Sequence, residues 1–390
     1  MNKKIYLITL LMLVTAGLFA ESITINRDKT PLKNGPGAFY ENLVFLQLNT
    51  TVENLGPASE DDGWLKVSFK GLVDNKKSDI TGYLSRLSIS EKKASKDPFD
   101  SLRSDSISGG SAKNQIAPGS YTAAIKGFLQ NYSSKNKYTT YSYEDIYSFT
   151  SFTNKDYFQI KGKVNLSYFP KRGELLGLDR THITESMEAL SGAIVLNAVS
   201  KHELVRSSES VKVNVIANVL SRQTIDYDKQ YFVWIVRNKE PFAFSGPGGA
   251  IFISDGMIKL LNDDKEVIAV IGHEIGHIAM RHGIRDIALE QARKNMEASF
   301  DELDESLDSD YAAISEDLED IIGDALKAAA LVRDDIQEFE ADDISMELLR
   351  RYRIERKYLA SALGKVFNNL NADSMNEYKL QTQRRLARVK

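Results

Sequence analysis

Cysteine is absent from this 390-residue chain. That excludes a disulfide scaffold, a thiol protease, a cysteine-ligated zinc protein and a lipoprotein acylated on cysteine. Any metal must therefore sit on His, Asp or Glu, and histidine is scarce, at five residues. Beyond the first 20 residues no stretch approaches the ~18 apolar residues that a membrane span requires. The mature chain is accordingly expected to be soluble, with no stable transmembrane span. Positive charge is not in excess either. The formal net charge of −4 becomes −6 if the two charges of Lys3 and Lys4 leave with a cleaved leader. With no basic patch to offset it, nucleic acid is not expected as a partner.

What is present is ordinary globular material. Apolar residues make up 42% of the chain and charged ones 27%, enough for a core of normal size and against disorder throughout. The length suggests two or three domains, of which two is the working count. Lys3 and Lys4 precede an apolar run from Ile5 to Phe19 that ends among the small residues Ala16, Gly17 and Ala20. This is the layout of a signal peptide over 1–20, and it implies export to the periplasm or cell envelope. Cleavage after Ala20 would leave Leu18 where a small residue is preferred, so an uncleaved anchor is the alternative.

From residue 22 to about 90 the pattern is one of short strands and turns. Strands are expected at Ser22–Asn26, Leu43–Leu48, Thr51–Leu55, Trp64–Phe69 and Gly82–Leu84, with a turn at Lys33-Asn34-Gly35-Pro36-Gly37. Such spacing suggests a small β-barrel. The words Pro31-Leu32-Lys33-Asn34-Gly35-Pro36-Gly37, Gly63-Trp64-Leu65-Lys66-Val67 and Gly82-Tyr83-Leu84 resemble a bacterial SH3-like domain over 22–90. The resemblance implies a binding module, often for cell-wall peptides; a barrel that only packs on its neighbour is the alternative. Residues 91–120, rich in Lys, Ser, Asp and Gly, read as a linker. A Tyr- and Phe-rich stretch follows at 121–181, strand-like over Tyr157–Tyr168. Helical periodicity then appears at Ile183, Met187, Leu190, Ile194 and Ala198, and again through Val211, Val215 and Val219. Tyr231–Arg237 and Ala250–Ser254 are expected to be strands, and a long helix to start near Asp264.

That long helix carries His273-Glu274-Ile275-Gly276-His277. Histidines four residues apart on a helix share a face, so both imidazoles can reach one Zn²⁺ while Glu274 stands beside the open position. Ile268, Ile271, Ile275 and Ile278 already supply the apolar stripe, so the histidines are not needed for packing. A third ligand is expected from a second helix over Asp335–Leu349, which holds Glu338-Phe339-Glu340-Ala341-Asp342. Spacing alone does not choose Glu338 over Glu340. Asp342, one turn from Glu338, is placed to accept a hydrogen bond from a ligand imidazole.

Residues 183–390 resemble the HtpX- and BepA-like zinc metallopeptidases, peptidase family 48, which also holds the CAAX prenyl protease. The matching words are Phe244-Ser245-Gly246-Pro247-Gly248-Gly249-Ala250-Ile251-Phe252-Ile253, Gly256-Met257, His273-Glu274-Ile275-Gly276-His277-Ile278, Arg281-His282 and Glu338-Phe339-Glu340-Ala341-Asp342. The resemblance implies Glu338 as third ligand to one Zn²⁺ per chain, beside His273 and His277. It also implies a substrate segment in which Gly248 and Gly249 make a turn and the following strand, from Ala250 and Ile251, pairs with extended polypeptide. Two words depart from the family. Phe242 stands where Asn is usual, and near Gln381-Thr382-Gln383-Arg384-Arg385 the expected His-Pro is missing although an Arg is present. Arg385 could stabilise the oxyanion of acyl transfer; the bland reading is a solvated terminal helix.

Other residues invite less. His282, five positions past His277, points off the ligand face of a continuous helix and reads as supporting or packing the site. His182 and His202 read as surface residues. The acidic run around Asp301, Glu302, Asp304, Glu305, Asp308 and Asp310 within 297–320 lacks the spacing of a calcium loop and reads as a solvated face, with a gate over the site as the minority view. The expected protein is multidomain, an all-β SH3-like barrel followed by a mainly α (α+β) zincin-type metallopeptidase domain over 121–390, core 183–390. Its expected activity is hydrolysis of peptide bonds in envelope or misfolded proteins, with Glu274 as general base on zinc-bound water. An envelope adaptor that grips cell-wall peptide, with a slow or self-inhibited peptidase domain, is the alternative.

Overall fold

The computed structural model describes residues 22–59, 61–73, 76–89, 143–168, 170, 173–178, 202–283, 335–369 and 376–390. The signal peptide, the 91–120 linker, His182, the helix expected over 183–198 and the acidic 297–320 run lie outside these residues. The described residues fall into two compact units. The first is 22–89 without Gly37–Phe39, which group with the second, 143–390.

The first unit is one antiparallel sheet of β1 (Ser22–Thr24), β2 (Thr30–Lys33), β3 (Asn42–Leu46), β4 (Thr51–Pro57), β5 (Trp64–Val73) and β6 (Lys76–Ser85), in the order β1-β4-β5-β6-β2-β3. Alternate apolar residues turn inward, as a half-buried sheet requires. Ile25, Leu32, Leu46, Val52, Leu65, Val67, Phe69 and Leu84 form its core. The β5–β6 hairpin runs longer than the apolar pattern suggests, because pairing continues from Trp64↔Ser85 to Val73↔Lys76. Thr30–Lys33, just before the expected turn and including its first residue, is a strand that pairs with β3 and β6.

In the second unit α1 spans Tyr143–Ser148 and α2 spans Asn154–Lys163. The strand-like expectation for Tyr157–Tyr168 is thus corrected: Tyr157–Lys163 belongs to α2, and no strand follows through Tyr168. Its aromatic composition favours strand, but the Thr153 side chain accepts from the Asp156 amide and Asp156 accepts from the Thr153 amide. That reciprocal cap nucleates a helix, and Tyr157, Ile160 and Val164 then fall on one face toward the core. Next come β7 (Leu204–Val205), α3 (Ser208–Leu220), β8 (Phe232–Val236), β9 (Ala243–Gly246), β10 (Ala250–Ser254), α4 (Asp255–Leu260), α5 (Asp264–Ala279), α6 (Asp335–Arg351), α7 (Lys357–Asn369) and α8 (Asn376–Val389).

The sheet order is β7-β8-β10-β9, with β10 parallel to β8 and antiparallel to β9. One face, with Val233, Ile235, Ile251 and Ile253, packs on α3 and α5. The other is aromatic: Phe252 stacks between Phe244 at 4.8 Å and Trp234 at 5.3 Å, and Trp234 donates to the Ile146 carbonyl at 3.0 Å. β7 covers only Ile235 and Val236 of β8. Side chains of α3 pair with Val233 and with Tyr231, just before β8. Asn214 accepts from the Val233 amide at 2.8 Å and donates to its carbonyl at 2.7 Å, and Asn218 does the same for Tyr231 at 3.1 and 2.8 Å. Four helical residues rise about 6 Å and two strand residues about 6.6 Å, so two Asn one turn apart match alternate strand residues.

Candidate metal centre

Helix α5 is capped by Asp263, whose side chain accepts from the Lys265 amide at 2.8 Å, and its first turn holds the acidic Asp264 and Glu266. Its isoleucines face the core, which leaves His273, Glu274 and His277 buried on the side met by α6. Two glycines set how closely α6 can come. A Cβ on Gly276 would lie 2.7 Å from the Ala341 carbonyl oxygen, and one on Gly272 would lie 3.1 Å from Ser345 Oγ. Only this approach brings a side chain from the first turn of α6 to both histidines.

That side chain is Glu338. His273 Nε2, His277 Nε2 and a Glu338 carboxylate oxygen lie within 4.8 Å of one another. The imidazole nitrogens are 3.0 Å apart, and each is 3.4 Å from a Glu338 oxygen. Glu340, the other acid that the spacing allows, instead meets His282 at 2.8 Å. Two imidazole nitrogens and a carboxylate oxygen are the donor set of a catalytic zinc site with one position left open. Because all three are buried and converge, the residues fit such an ion.

Behind them, His273 Nδ1 faces Asp342 Oδ1 at 2.8 Å. From α8, Arg385 donates to both Asp342 oxygens at 2.9 and 2.8 Å and to Glu338 Oε2 at 2.6 Å. Burial alone would raise the Glu338 and Asp342 carboxyls, but Arg385 and the imidazoles outweigh it and hold both well below the usual range. Burial and Arg385 work against the charged form of His273, yet Asp342 and Glu338 carry its pKa up to about 9. Burial likewise opposes the Arg385 charge, and the two acids keep it protonated.

A family model described as "Peptidase family M48" matches residues 208–382. Residues 208–382 are an M48 peptidase domain. The chain is 28% identical to the metalloprotease LoiP of Escherichia coli over 162 residues, which is 41% of this chain and 60% of LoiP. It is 31% identical to the mitochondrial metalloendopeptidase OMA1 of Schizosaccharomyces pombe over 65 residues, 17% of this chain and 19% of OMA1. The chain thus spans well under two thirds of the latter relative and 60% of the former.

Within the M48 domain, two expectations change. Ala250 and Ile251 are paired on both edges, to β8 and to β9, so the strand after the Pro-Gly-Gly turn has no free edge. Among the described residues the end strand of the sheet on that side is β9, which runs beside α5. Gly248 and Gly249 do form the turn, at φ of 79° and 87°, where glycine avoids strain. Arg385 is not a solvated residue: it is buried, and its three nitrogens engage Asp342 and Glu338. Missed altogether was Tyr378, two turns before Arg385 on α8. Burial raises its phenol pKa, and the charges of Arg385, Glu338 and Glu274 all act on it. Periodicity back from Arg385 was the available signal. His202 lies at the aromatic face of the sheet, its ring 6.5 Å from that of Phe242.

Proposed function

We propose that the chain is an exported zinc-dependent metalloendopeptidase that hydrolyses peptide bonds of envelope or misfolded proteins. One observation carries this reading: a buried His-His-Glu trio with the Glu274 carboxylate beside it on the same helix. His273, His277 and Glu338 would hold one zinc ion, which supplies Lewis acidity and acidifies water at the open position. Glu274 takes the proton of the attacking water and delivers it to the leaving amine. Arg385 works through Asp342 and Glu338, keeping both acids ionised and His273 oriented. An extended polypeptide pairs along β9, the end strand of its sheet among the described residues, next to the Gly248-Gly249 turn. The same reading assigns 1–20 as a signal peptide, 22–90 as an SH3-like module with affinity for cell-wall peptide, 91–120 as a linker and 121–390 as the peptidase domain.

The test measures zinc content and cleavage of casein, with and without chelator, for the wild type and Glu274→Gln. Stoichiometric zinc in both proteins, with chelator-sensitive cleavage in the wild type alone, is the expected outcome. Normal cleavage by the variant, or a wild type without zinc, overturns the assignment.

A further inference from the structure

His282 is fully buried and stands between a proposed ligand and the surface. Its Nδ1 is 2.7 Å from His277 Nδ1, and its Nε2 is 2.8 Å from Glu340 Oε2. The backbone makes this possible. Helix α5 ends at Ala279, and Arg281 adopts a φ of 63°, its guanidinium paired with the buried Asp226. The chain therefore turns at Arg281 and presents His282 Nδ1 to His277 Nδ1. Glu340 reaches it from α6, two residues after Glu338, with a third of its side chain exposed.

The direction of each hydrogen bond follows from Glu340 inward. An ionised carboxylate only accepts, so His282 Nε2 carries the proton. A neutral His282 then has a bare Nδ1, which accepts from His277 Nδ1–H. His277 is left with an unprotonated Nε2, the atom that faces His273 and Glu338. We infer that Glu340 and His282 are positioning residues that fix the tautomer and ring plane of His277, so that its Nε2 lone pair points to the metal. His273 has its own brace in Asp342 and Arg385, so the two imidazoles are oriented by separate devices, one ionic and one a carboxylate–imidazole relay.

This inference rests on the zinc reading, and the experiment separates the two. Zinc affinity is measured by competition with a chromophoric chelator for the wild type, His282→Ala and Glu340→Ala. In parallel, ¹⁵N shifts of the His277 ring are recorded in the metal-free proteins, and thermal unfolding reports on the fold. The expected result is a roughly 10- to 100-fold loss of affinity in each variant. His277 should carry its proton on Nδ1 in the wild type and exchange between tautomers in the variants. Glu340 lies outside the core, so Glu340→Ala keeps the test valid if His282→Ala folds poorly. A wild type that binds zinc while both variants match it within twofold would overturn the inference and leave the zinc site standing. So would a wild-type His277 protonated on Nε2. A wild type that binds no zinc would sink both readings.

Discussion

Arg385 is one cation shared by two buried acids, and removing it should be felt before any metal is added. Breaking a buried ion pair on one side costs about 3–5 kcal/mol. Arg385→Leu should lose about that much stability by urea unfolding in the metal-free state. The deficit should narrow on adding zinc, whose charge would neutralise Glu338 in its place; an equal deficit with and without zinc would argue that Arg385 serves only to fill space. Farther from the site, Glu347 illustrates a milder effect. Bonds from Arg350, at 2.6 and 2.7 Å, and then from Arg351 outweigh the opposing effect of burial and bring its carboxyl from 4.5 down to about 2. A carboxylate depressed on folding stabilises the protein fully above its unfolded pKa and loses that contribution as pH falls toward the folded one. Between about pH 4.5 and pH 2 the wild type should therefore lose stability that Glu347→Gln never had. With a partly exposed group the difference is roughly 1 kcal/mol at neutral pH, measurable by denaturant titration at several pH values.

Among the elements, the α5–α6 crossing decides whether a site exists. Gly276→Ala would set a methyl carbon 2.7 Å from the Ala341 carbonyl oxygen and force α6 away, so zinc uptake should fall at least tenfold. Gly364→Ala, in the interior of α7 with open space around it, should instead stabilise the protein by about 0.5–1 kcal/mol. Calorimetry and zinc titration of the pair would expose any error in this packing account. Both α5 and α6 were legible from sequence, as was β10, because their apolar periods are long and unambiguous. The trio of ligand atoms followed from them, although choosing Glu338 over Glu340 needed either a resemblance or the crossing itself. Other elements were hidden for definite reasons. Aromatic composition in 154–163 masked a helix that its cap residues dictate, and β9 is four residues long with its only described strand partner across a glycine turn. That His282 meets His277 was not legible, because a helix continued past Ala279 would turn it away and the left-handed Arg281 ends that geometry.

For the molecule as a whole, two units with separate apolar cores meet zinc differently. Among the described residues the only cluster able to hold a metal lies in the second unit. In calorimetry, zinc at a hundred times its dissociation constant should stabilise that unit by about 2.7 kcal/mol and leave the unfolding of the six-stranded sheet where it was. A shift of both transitions together would contradict this. The ligands come from α5 and α6, which are distant along the chain. A bound ion would therefore be a removable cross-link, closing a long loop that the cysteine-free sequence cannot close with a disulfide. The lifetime of the folded protein would then track the zinc supply around it, so that zinc scarcity would remove this protein by degradation as well as by inactivity.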